Sequence, residues 1–129
     1  MKVLTATTFA TLLFSAVVDA DQAQPRPDPK PSADVLEVTP QLHAYTTELL
    51  FGQVWKRQAL VARDRSLITL SALVASGQAA QLPFHLNRAM DNGLTEALAV
   101  EVVTHLAFYV GWPKAMSAVP VLKEVFAAR

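Results

Sequence analysis

Apolar residues recur with a helical period along most of the chain from residue 39 onward. Thr39-Pro40 is a typical helix start, because threonine caps free amide groups and proline suits the first helical turn. The apolar positions that follow share one helix face and comprise Leu42, Tyr45, Leu49 and Val54. The pattern predicts a first helix that ends near Trp55.

Two more helices are predicted between residues 62 and 91. The segment from Ala62 to Ser76 has little polar face, so we expect a central, buried helix that ends at Gly77. Its apolar residues are Leu67, Ile68, Leu70, Leu73 and Val74. The next helix covers about Ala79 to Asp91, and Pro83 must lie near its first turn, where amide groups lack helical partners anyway.

A fourth and a fifth helix complete the pattern. Thr95 caps the fourth, which runs to about Val110, and Gly111 and Pro113 separate it from the fifth. No segment shows the polar and apolar alternation of a strand bounded by turns. The sequence therefore predicts an all-α fold of about five helices, arranged as a bundle or an orthogonal array.

The first 20 residues have the features of a secretory signal peptide. Lys2 precedes an uncharged apolar run, and small residues at Val18 and Ala20 predict cleavage after residue 20. An uncleaved membrane anchor is the less favoured alternative, because the run is short and rich in threonine and alanine. Cleavage predicts a periplasmic or secreted protein without stable membrane insertion.

Residues 21–38 are predicted to form an extended tether. Proline alternates with polar residues from Gln24 to Pro31, which prevents a helix and leaves little to bury. The tether either stays in solvent or lies across a neighbouring subunit. The helical domain then occupies residues 39–129.

Composition narrows the function classes. Of the 129 residues, 52% are hydrophobic, and a domain this small buries only part of its surface, so we expect a homo-oligomer. The formal net charge is zero and no basic stripe exists, which disfavours nucleic-acid binding. The chain has no cysteine, which excludes disulfides and thiol nucleophiles.

Candidate chemistry lies on the third and fourth predicted helices. Glu101, His105 and Tyr109 share one face, since they are spaced four residues apart. Glu101 and His105 are either a proton-transfer pair or a structural hydrogen bond between helices or subunits. His85 is either a satisfied core histidine or an acid–base group. A metal site at His85, Glu101 and His105 is disfavoured, because the spacing lacks a His-x-x-x-His pair.

Arg65 lies at the start of the second predicted helix. An arginine beside the free amide groups of a helix N-terminus can hold a carboxylate substrate. The alternative is a solvated helix start, in which Asp64 complements the helix dipole. Both interpretations stay open for this residue.

Three sequence motifs occur in order along the chain and carry a family resemblance. They are RDRSLITLSAL at 63–73, LPFHLNRAMDNGLT at 82–95 and EVVTHLAFYVGWP at 101–113. Together they resemble the carboxymuconolactone decarboxylase family, over residues 40–128. The resemblance implies an alkylhydroperoxidase-D-like helical fold that assembles as trimers or hexamers. One branch of that family uses a Cys-x-x-Cys pair whose places here, counted back from His85, hold Gln78 and Gln81. Thiol peroxidase activity is therefore disfavoured.

The other branch decarboxylates a carboxylated lactone without a cofactor, and its reaction needs a general acid. The resemblance implies His85 as that acid and Glu101 with His105 as the couple that orients and relays the proton. Arg65 and Tyr109 would bind the substrate. We therefore predict a cofactor-free lyase or isomerase acting on a small carboxylated lactone or related acid. The alternative is a non-catalytic oligomeric protein that binds a small ligand, which predicts ligand-dependent stabilisation without turnover.

Overall fold

The computed structural model describes residues 31–129. The predicted signal peptide and residues 21–30 of the predicted tether lie outside these described residues. The described part is all-α, as predicted, and contains no strand. Its helices are α1 (Ala33–Val38), α2 (Pro40–Ala44), α3 (Ala62–Ser76), α4 (Leu82–Asp91), α5 (Glu96–Val110) and α6 (Trp112–Ala127).

Helix α1 corrects part of the tether prediction. The extended conformation expected for residues 21–38 is wrong for Ala33–Val38, which is helical. No proline interrupts this stretch, and Asp34 lies in the first turn, where a negative charge complements the helix dipole. The hydroxyl of Thr39 donates to the carbonyl of Val35 at 3.0 Å and satisfies one group at the end of the helix.

The predicted first helix is present, but its hydrogen-bond pattern changes along its length. Helix α2 continues directly into a π-helical segment, Tyr45–Phe51, and a 3₁₀ turn follows at Val54–Lys56. Thr46 and Thr47 donate their hydroxyls to carbonyls of the preceding turn, and such bonds bend a helix. Position 52 must be glycine, since a Cβ there would lie 2.2 Å from a carbonyl oxygen of the preceding turn. We call residues 33–51 the N-terminal arm.

The central position predicted for α3 is confirmed. This helix packs against α4, α5 and α6, and it buries Leu70 and Val74 completely. Ile68, which we expected inside, is exposed, because the apolar residues of α3 spread over more of the helix than its neighbours cover. Gly77 ends the helix at φ 73°, and the N–H of Gln78 donates to the carbonyl of Leu73 at 2.9 Å.

The remaining helix boundaries agree with the predicted caps and prolines. A 3₁₀ turn at Ala79–Gln81 leads into α4, and Pro83 lies in the first turn of that helix. The hydroxyl of Thr95 accepts a hydrogen bond from the N–H of Leu98 at 3.2 Å, which confirms it as the N-cap of α5. Pro113 lies in the first turn of α6.

The N-cap of α5 gives a first testable prediction. Thr95→Ala should lower the free energy of unfolding by about 1 kcal/mol, because an amide at the start of α5 loses its acceptor. Thr95→Ser keeps the hydroxyl oxygen and should stay close to the unsubstituted protein. Denaturant unfolding followed by circular dichroism measures both variants. Equal stability of the alanine and serine variants would contradict the capping role.

Small side chains allow α5 and α6 to pack closely. Helix α5 buries Ala99, Val103 and Ala107, which repeat at every fourth residue, and α6 buries Ala115 and Ala118. Helix α4 packs on α3 and α6. Helices α3, α4 and α6 also contribute buried leucine and valine side chains to the core, namely Leu70, Val74, Leu82, Leu86, Leu122 and Val125.

Many large apolar side chains stay on the surface of the single chain. They include Leu42, Tyr45, Leu49, Phe108, Tyr109, Trp112 and Met116. Within residues 31–129, no helix is both long and apolar enough to cross a membrane. The high hydrophobic fraction of the sequence is therefore accommodated at the surface as well as in the core.

Candidate functional site

One face of α4 carries a row of polar side chains. His85, Arg88 and Asn92 follow one another at steps of three and four residues, so they share this face. The other face of α4 enters the core through Leu82, Leu86 and Ala89. The core contacts fix the rotation of the helix and thereby the direction in which the polar row is presented.

His85 is half-buried and lies beside the ring of Phe84 in an edge-on contact, with the ring centroids 4.9 Å apart. Burial lowers the pKa of the imidazole, and the positive charge of Arg88 lowers it further. His85 therefore favours its neutral form more strongly than a histidine in water does.

Two aromatic rings hold Arg88 in place. Its Cζ atom lies 5.0 Å from the ring centroid of Phe51 and 4.6 Å from that of Trp55. The two rings lie 5.8 Å apart and pack on one another. Cation–π contacts of this kind stabilise a guanidinium and restrict its motion. The charge that acts on His85 is therefore fixed by tertiary structure.

A second arginine contacts the same segment of chain. The Nη2 of Arg65 donates to the carbonyl of Arg57 at 2.8 Å, two residues after the tryptophan that stacks on Arg88. Its Nε is buried and has no hydrogen-bond partner among residues 31–129. Buried donors without partners are uncommon in native proteins. Arg65 and Arg88 thus contact the same segment, residues 51–57, and we call Arg65, His85 and Arg88 together the basic cluster.

A partly buried hydrogen bond fixes the start of α3 against the end of α4. The side-chain amide of Asn92 donates to the hydroxyl of Ser66 at 2.8 Å, and Ser66 is buried. Arg65 precedes this serine, and Arg88 lies one turn before Asn92. The bond therefore holds the two helices that carry the basic cluster in one register.

The three candidate residues of α5 are arranged differently. Glu101, His105 and Tyr109 are all exposed, and the rings of His105 and Tyr109 stack with centroids 4.7 Å apart. Within the described residues, no hydrogen bond joins Glu101 to His105 or either of them to His85. Helices α4 and α5 pack mainly on α3 and α6 rather than on each other. The structure therefore brings His85 to Arg88, and a chemical role for the α5 residues stays a prediction.

The structure also locates the two glutamines that stand at the cysteine places of the thiol peroxidase branch. Gln78 and Gln81 are both exposed, just before α4. No group of three or more histidine, aspartate or glutamate side chains within residues 31–129 is arranged to hold a metal ion.

The sequence analysis missed Arg88 and the two rings that hold it. The available signal was spacing, since Arg88 follows His85 by three residues and Phe51 precedes Trp55 by four. The contact between the two pairs is tertiary, so no local pattern indicates it.

The lowered pKa of His85 predicts a pH dependence of stability. The unfolded chain, with a pKa of about 6.5, binds the proton more tightly than the folded protein does. This histidine therefore contributes its full stabilisation above pH 6.5 and loses it as the pH falls through the lower, folded pKa. Unfolding measured between about pH 7.5 and about pH 5 should show a larger loss of stability for the unsubstituted protein than for His85→Gln. An equal loss of stability in the unsubstituted protein and in His85→Gln would contradict the lowered pKa of His85.

Comparison with known proteins identifies the family. The sequence model of the carboxymuconolactone decarboxylase family matches residues 40–124, which include the basic cluster. The chain belongs to the carboxymuconolactone decarboxylase family. The family resemblance seen in the sequence motifs is thereby confirmed.

Three individual proteins are similar to this member of the carboxymuconolactone decarboxylase family. The chain is 33% identical over 82 residues to the 4-carboxymuconolactone decarboxylase of Acinetobacter baylyi, covering 64% of this chain and 61% of the relative. It is 36% identical over 78 residues to the nitrosuccinic acid decarboxylase of Metarhizium robertsii, covering 60% and 54%. It is 27% identical over 93 residues to an uncharacterized 15.0 kDa protein of Paracoccus denitrificans, covering 70% and 69%. The chain thus spans less than two thirds of the length of the two decarboxylases.

Proposed function

We propose that this protein is a cofactor-free decarboxylase that acts on a small carboxylated lactone or a related acid at the basic cluster. The observation that carries the proposal is the half-buried His85 beside an arginine that two aromatic rings hold in place. Support also comes from two relatives that are named as decarboxylases of small carboxylated compounds.

The first step is binding of an anion. The substrates named for the two relatives, 4-carboxymuconolactone and nitrosuccinic acid, carry more than one carboxyl group, so one carboxylate remains when another leaves. Arg88 would hold the carboxylate that stays, since a guanidinium has five donors and can serve several acceptors at once. Arg65, whose Nε has no hydrogen-bond partner among residues 31–129, would supply a second positive charge.

The second step is loss of carbon dioxide followed by protonation. The C–C bond to the leaving carboxylate breaks, and its electron pair moves onto the adjacent electron-withdrawing group. His85 then donates a proton to a carbon of the resulting delocalised anion, and it regains a proton from solvent. A half-buried position suits this role, because fewer water molecules compete with the developing charge.

Substrate binding should also adjust the acidity of His85. In the free protein, burial and Arg88 lower the pKa of this imidazole. A bound carboxylate brings a negative charge to the same place, which favours the protonated imidazole and raises its pKa. The basic limb of the kcat profile should therefore lie at higher pH than that of kcat/KM.

We further propose that the protein works as a homo-oligomer, a trimer or hexamer as its family resemblance implies. The apolar side chains exposed on the arm and on α5 support this. If the predicted signal peptide is cleaved, the reaction takes place in the periplasm or outside the cell. Glu101, His105 and Tyr109 are exposed in the single chain. In the proposed oligomer they would take part in the chemistry only where a neighbouring copy covers them.

The proposal is tested with the purified protein, a chelator and no added cofactor. Release of carbon dioxide and loss of substrate are measured with 4-carboxymuconolactone and with nitrosuccinic acid. Turnover of either compound, with one carbon dioxide released per substrate, is the expected result. Thermal stabilisation by both compounds without turnover would overturn the enzyme proposal in favour of a binding protein.

Arg88 should determine how tightly the substrate binds. Arg88→Met should raise KM by roughly 10- to 100-fold, because a charge-assisted hydrogen bond contributes about 1.5–3 kcal/mol. Steady-state kinetics measure the change. Arg63→Met is the matched control, since Arg63 is exposed and pairs with Asp64 at 2.8 Å outside the cluster. An unchanged KM in the Arg88 variant would remove this arginine from substrate binding.

A further inference from the structure

An open apolar groove runs between α5 and α6, away from the basic cluster. Its volume is about 410 Å³, and it is lined mainly by Val100, Val103, Val119, Leu122, Lys123 and Phe126. A second hollow of about 150 Å³ shares Val103 and Val119 and extends toward Trp112. We call the two together the α5–α6 groove.

Side chains in this groove are left exposed by the single chain. Val100 and Val119 are 48% and 47% exposed, although they lie beside core residues of the same helices. Water contact with apolar surface costs roughly 25 cal/mol per Å², so a partner that covers the groove would be stabilised by the hydrophobic effect. No other segment of residues 31–129 fills it.

The N-terminal arm carries a row of exposed apolar side chains that could fill such a groove. Leu42, Tyr45 and Leu49 form one stripe along the arm and are 55%, 56% and 48% exposed. The helical segments of the arm pack mainly on each other and on the turn that follows them. Phe51, at the end of the arm, is buried and contacts Arg88, so the arm is joined to the helical body at that end.

Length and charge agree between the arm and the groove. The arm stripe covers seven residue steps from Leu42 to Leu49, and the groove follows α5 over seven steps from Val100 to Ala107. The seven steps along α5 correspond to about 10 Å, and the same number of residues in the arm covers a similar length, although the arm is π-helical from Tyr45. The arm carries three carboxylates, at positions 34, 37 and 48, and no lysine or arginine. Lys123 lines the groove, and no ion pair joins it to another residue of the described chain.

We propose that the N-terminal arm of one copy docks its Leu42–Leu49 stripe into the α5–α6 groove of a second copy. Such an exchange buries two apolar surfaces that the single chain leaves open and brings the acidic arm to Lys123. The arm and the groove are different surfaces of the chain. Two copies can therefore exchange arms reciprocally in a dimer, or each copy can dock its arm on the next copy around a closed ring. The inference gives the proposed homo-oligomer a specific interface and does not depend on the proposed reaction.

The absence of native cysteine allows a direct test by cross-linking. Leu49→Cys is prepared with one affinity tag and Val119→Cys with another, and the two single variants are mixed and treated with a short bifunctional maleimide. Cross-linked chains that carry both tags are the expected result. Ser117→Cys replaces Val119→Cys in the matched control, because Ser117 is exposed on α6 and does not line the groove. Equal cross-linking with Ser117→Cys, or none with Val119→Cys, would overturn the proposal.

The alternative occupants of the groove give different results. A doubly substituted chain, Leu49→Cys with Val119→Cys, should cross-link between chains; cross-links only within one chain would assign the groove to its own arm. If residues 1–30 fill the groove instead, the tagged cross-link is absent whether or not the protein is oligomeric. Either result would overturn the arm exchange. An oligomer without the cross-link would leave the proposed homo-oligomer standing and refute only this interface.

A charge placed in the stripe provides a second measurement. Leu49→Glu should lower the mass measured by light scattering at micromolar concentration, because a buried carboxylate without a partner is costly in an apolar groove. Helix content should be kept, since Leu49 is exposed in the single chain. Gln53→Glu adds the same charge at an exposed position outside the arm and should keep the original mass. An unchanged mass in Leu49→Glu would contradict the proposed contact.

Discussion

His85→Ala should lower kcat/KM for decarboxylation by about 10²- to 10⁴-fold, the usual contribution of a positioned general acid. The loss should fall mainly on kcat, because proton donation to carbon follows substrate binding at Arg88. Purified variant and unsubstituted protein are compared by carbon dioxide release over a range of substrate concentrations up to saturation, which gives kcat and KM separately. The residual rate should also lose its dependence on pH between about 5 and 8, since the titrating group has been removed.

The control for this substitution removes another imidazole. His43 lies in α2, and its backbone carbonyl accepts a hydrogen bond from the hydroxyl of Thr47 and not from the basic cluster, so His43→Ala should keep full activity. Circular dichroism must show the same helix content in all three proteins. Turnover that survives in His85→Ala would exclude this residue as the proton donor and would leave the α5 histidine, His105, as the next candidate.

The sequence predicted the ends of the longer helices well because specific residues encode those ends. Thr95 supplies the acceptor that starts α5, and Gly77 adopts the positive φ that ends α3. Such signals act within a few residues, so the local sequence is enough to detect them. The π-helical segment Tyr45–Phe51 was not predicted, because the spacing of apolar residues indicates a helix but does not distinguish one helical hydrogen-bond pattern from another.

The helical face that holds Glu101, His105 and Tyr109 was predicted correctly, but its exposure was not. The buried face of α5 consists of Ala99, Val103 and Ala107. A polar stripe that starts two residues later is rotated by about 200° and therefore points away from the core. Since α5 is apolar on nearly every side, the sequence did not show which side the core would cover. The buried side of α5 is the one that carries the small residues Ala99 and Ala107, because small side chains let α6 approach closely.

The basic cluster shows where prediction from local sequence ends. His85 was found through a family motif, which is a contiguous stretch of residues. Arg88 was not, because Phe51 and Trp55 contact it from more than thirty residues earlier in the chain. Arg65 was expected at a helix start, and the structure adds that it binds the Arg57 carbonyl of the same segment. The segment at residues 51–57 is therefore part of the site, although it carries no catalytic motif.

The second large effect is on stability. Leu86→Ala should lower the free energy of unfolding by about 2–5 kcal/mol, because the leucine is fully buried and its removal leaves a cavity in the core. The side chain lies on the core face of α4, next to His85, and α4 packs on both α3 and α6. Denaturant unfolding at fixed protein concentration measures the change, so that any oligomer is equally populated in each sample.

Leu98→Ala is the matched control, because it makes the same change in side chain at an exposed position. Leu98 is also a helical leucine, on α5, but it is 44% exposed. Leu98→Ala should therefore lower the free energy of unfolding by less than about 1 kcal/mol. A comparable loss in both variants would mean that the core is not where the structure places it. If Leu86→Ala also reduces decarboxylation while the protein remains folded, the two faces of α4 are coupled. The core contacts of Leu86 would then set the rotation of the helix that presents His85 and Arg88 to the substrate.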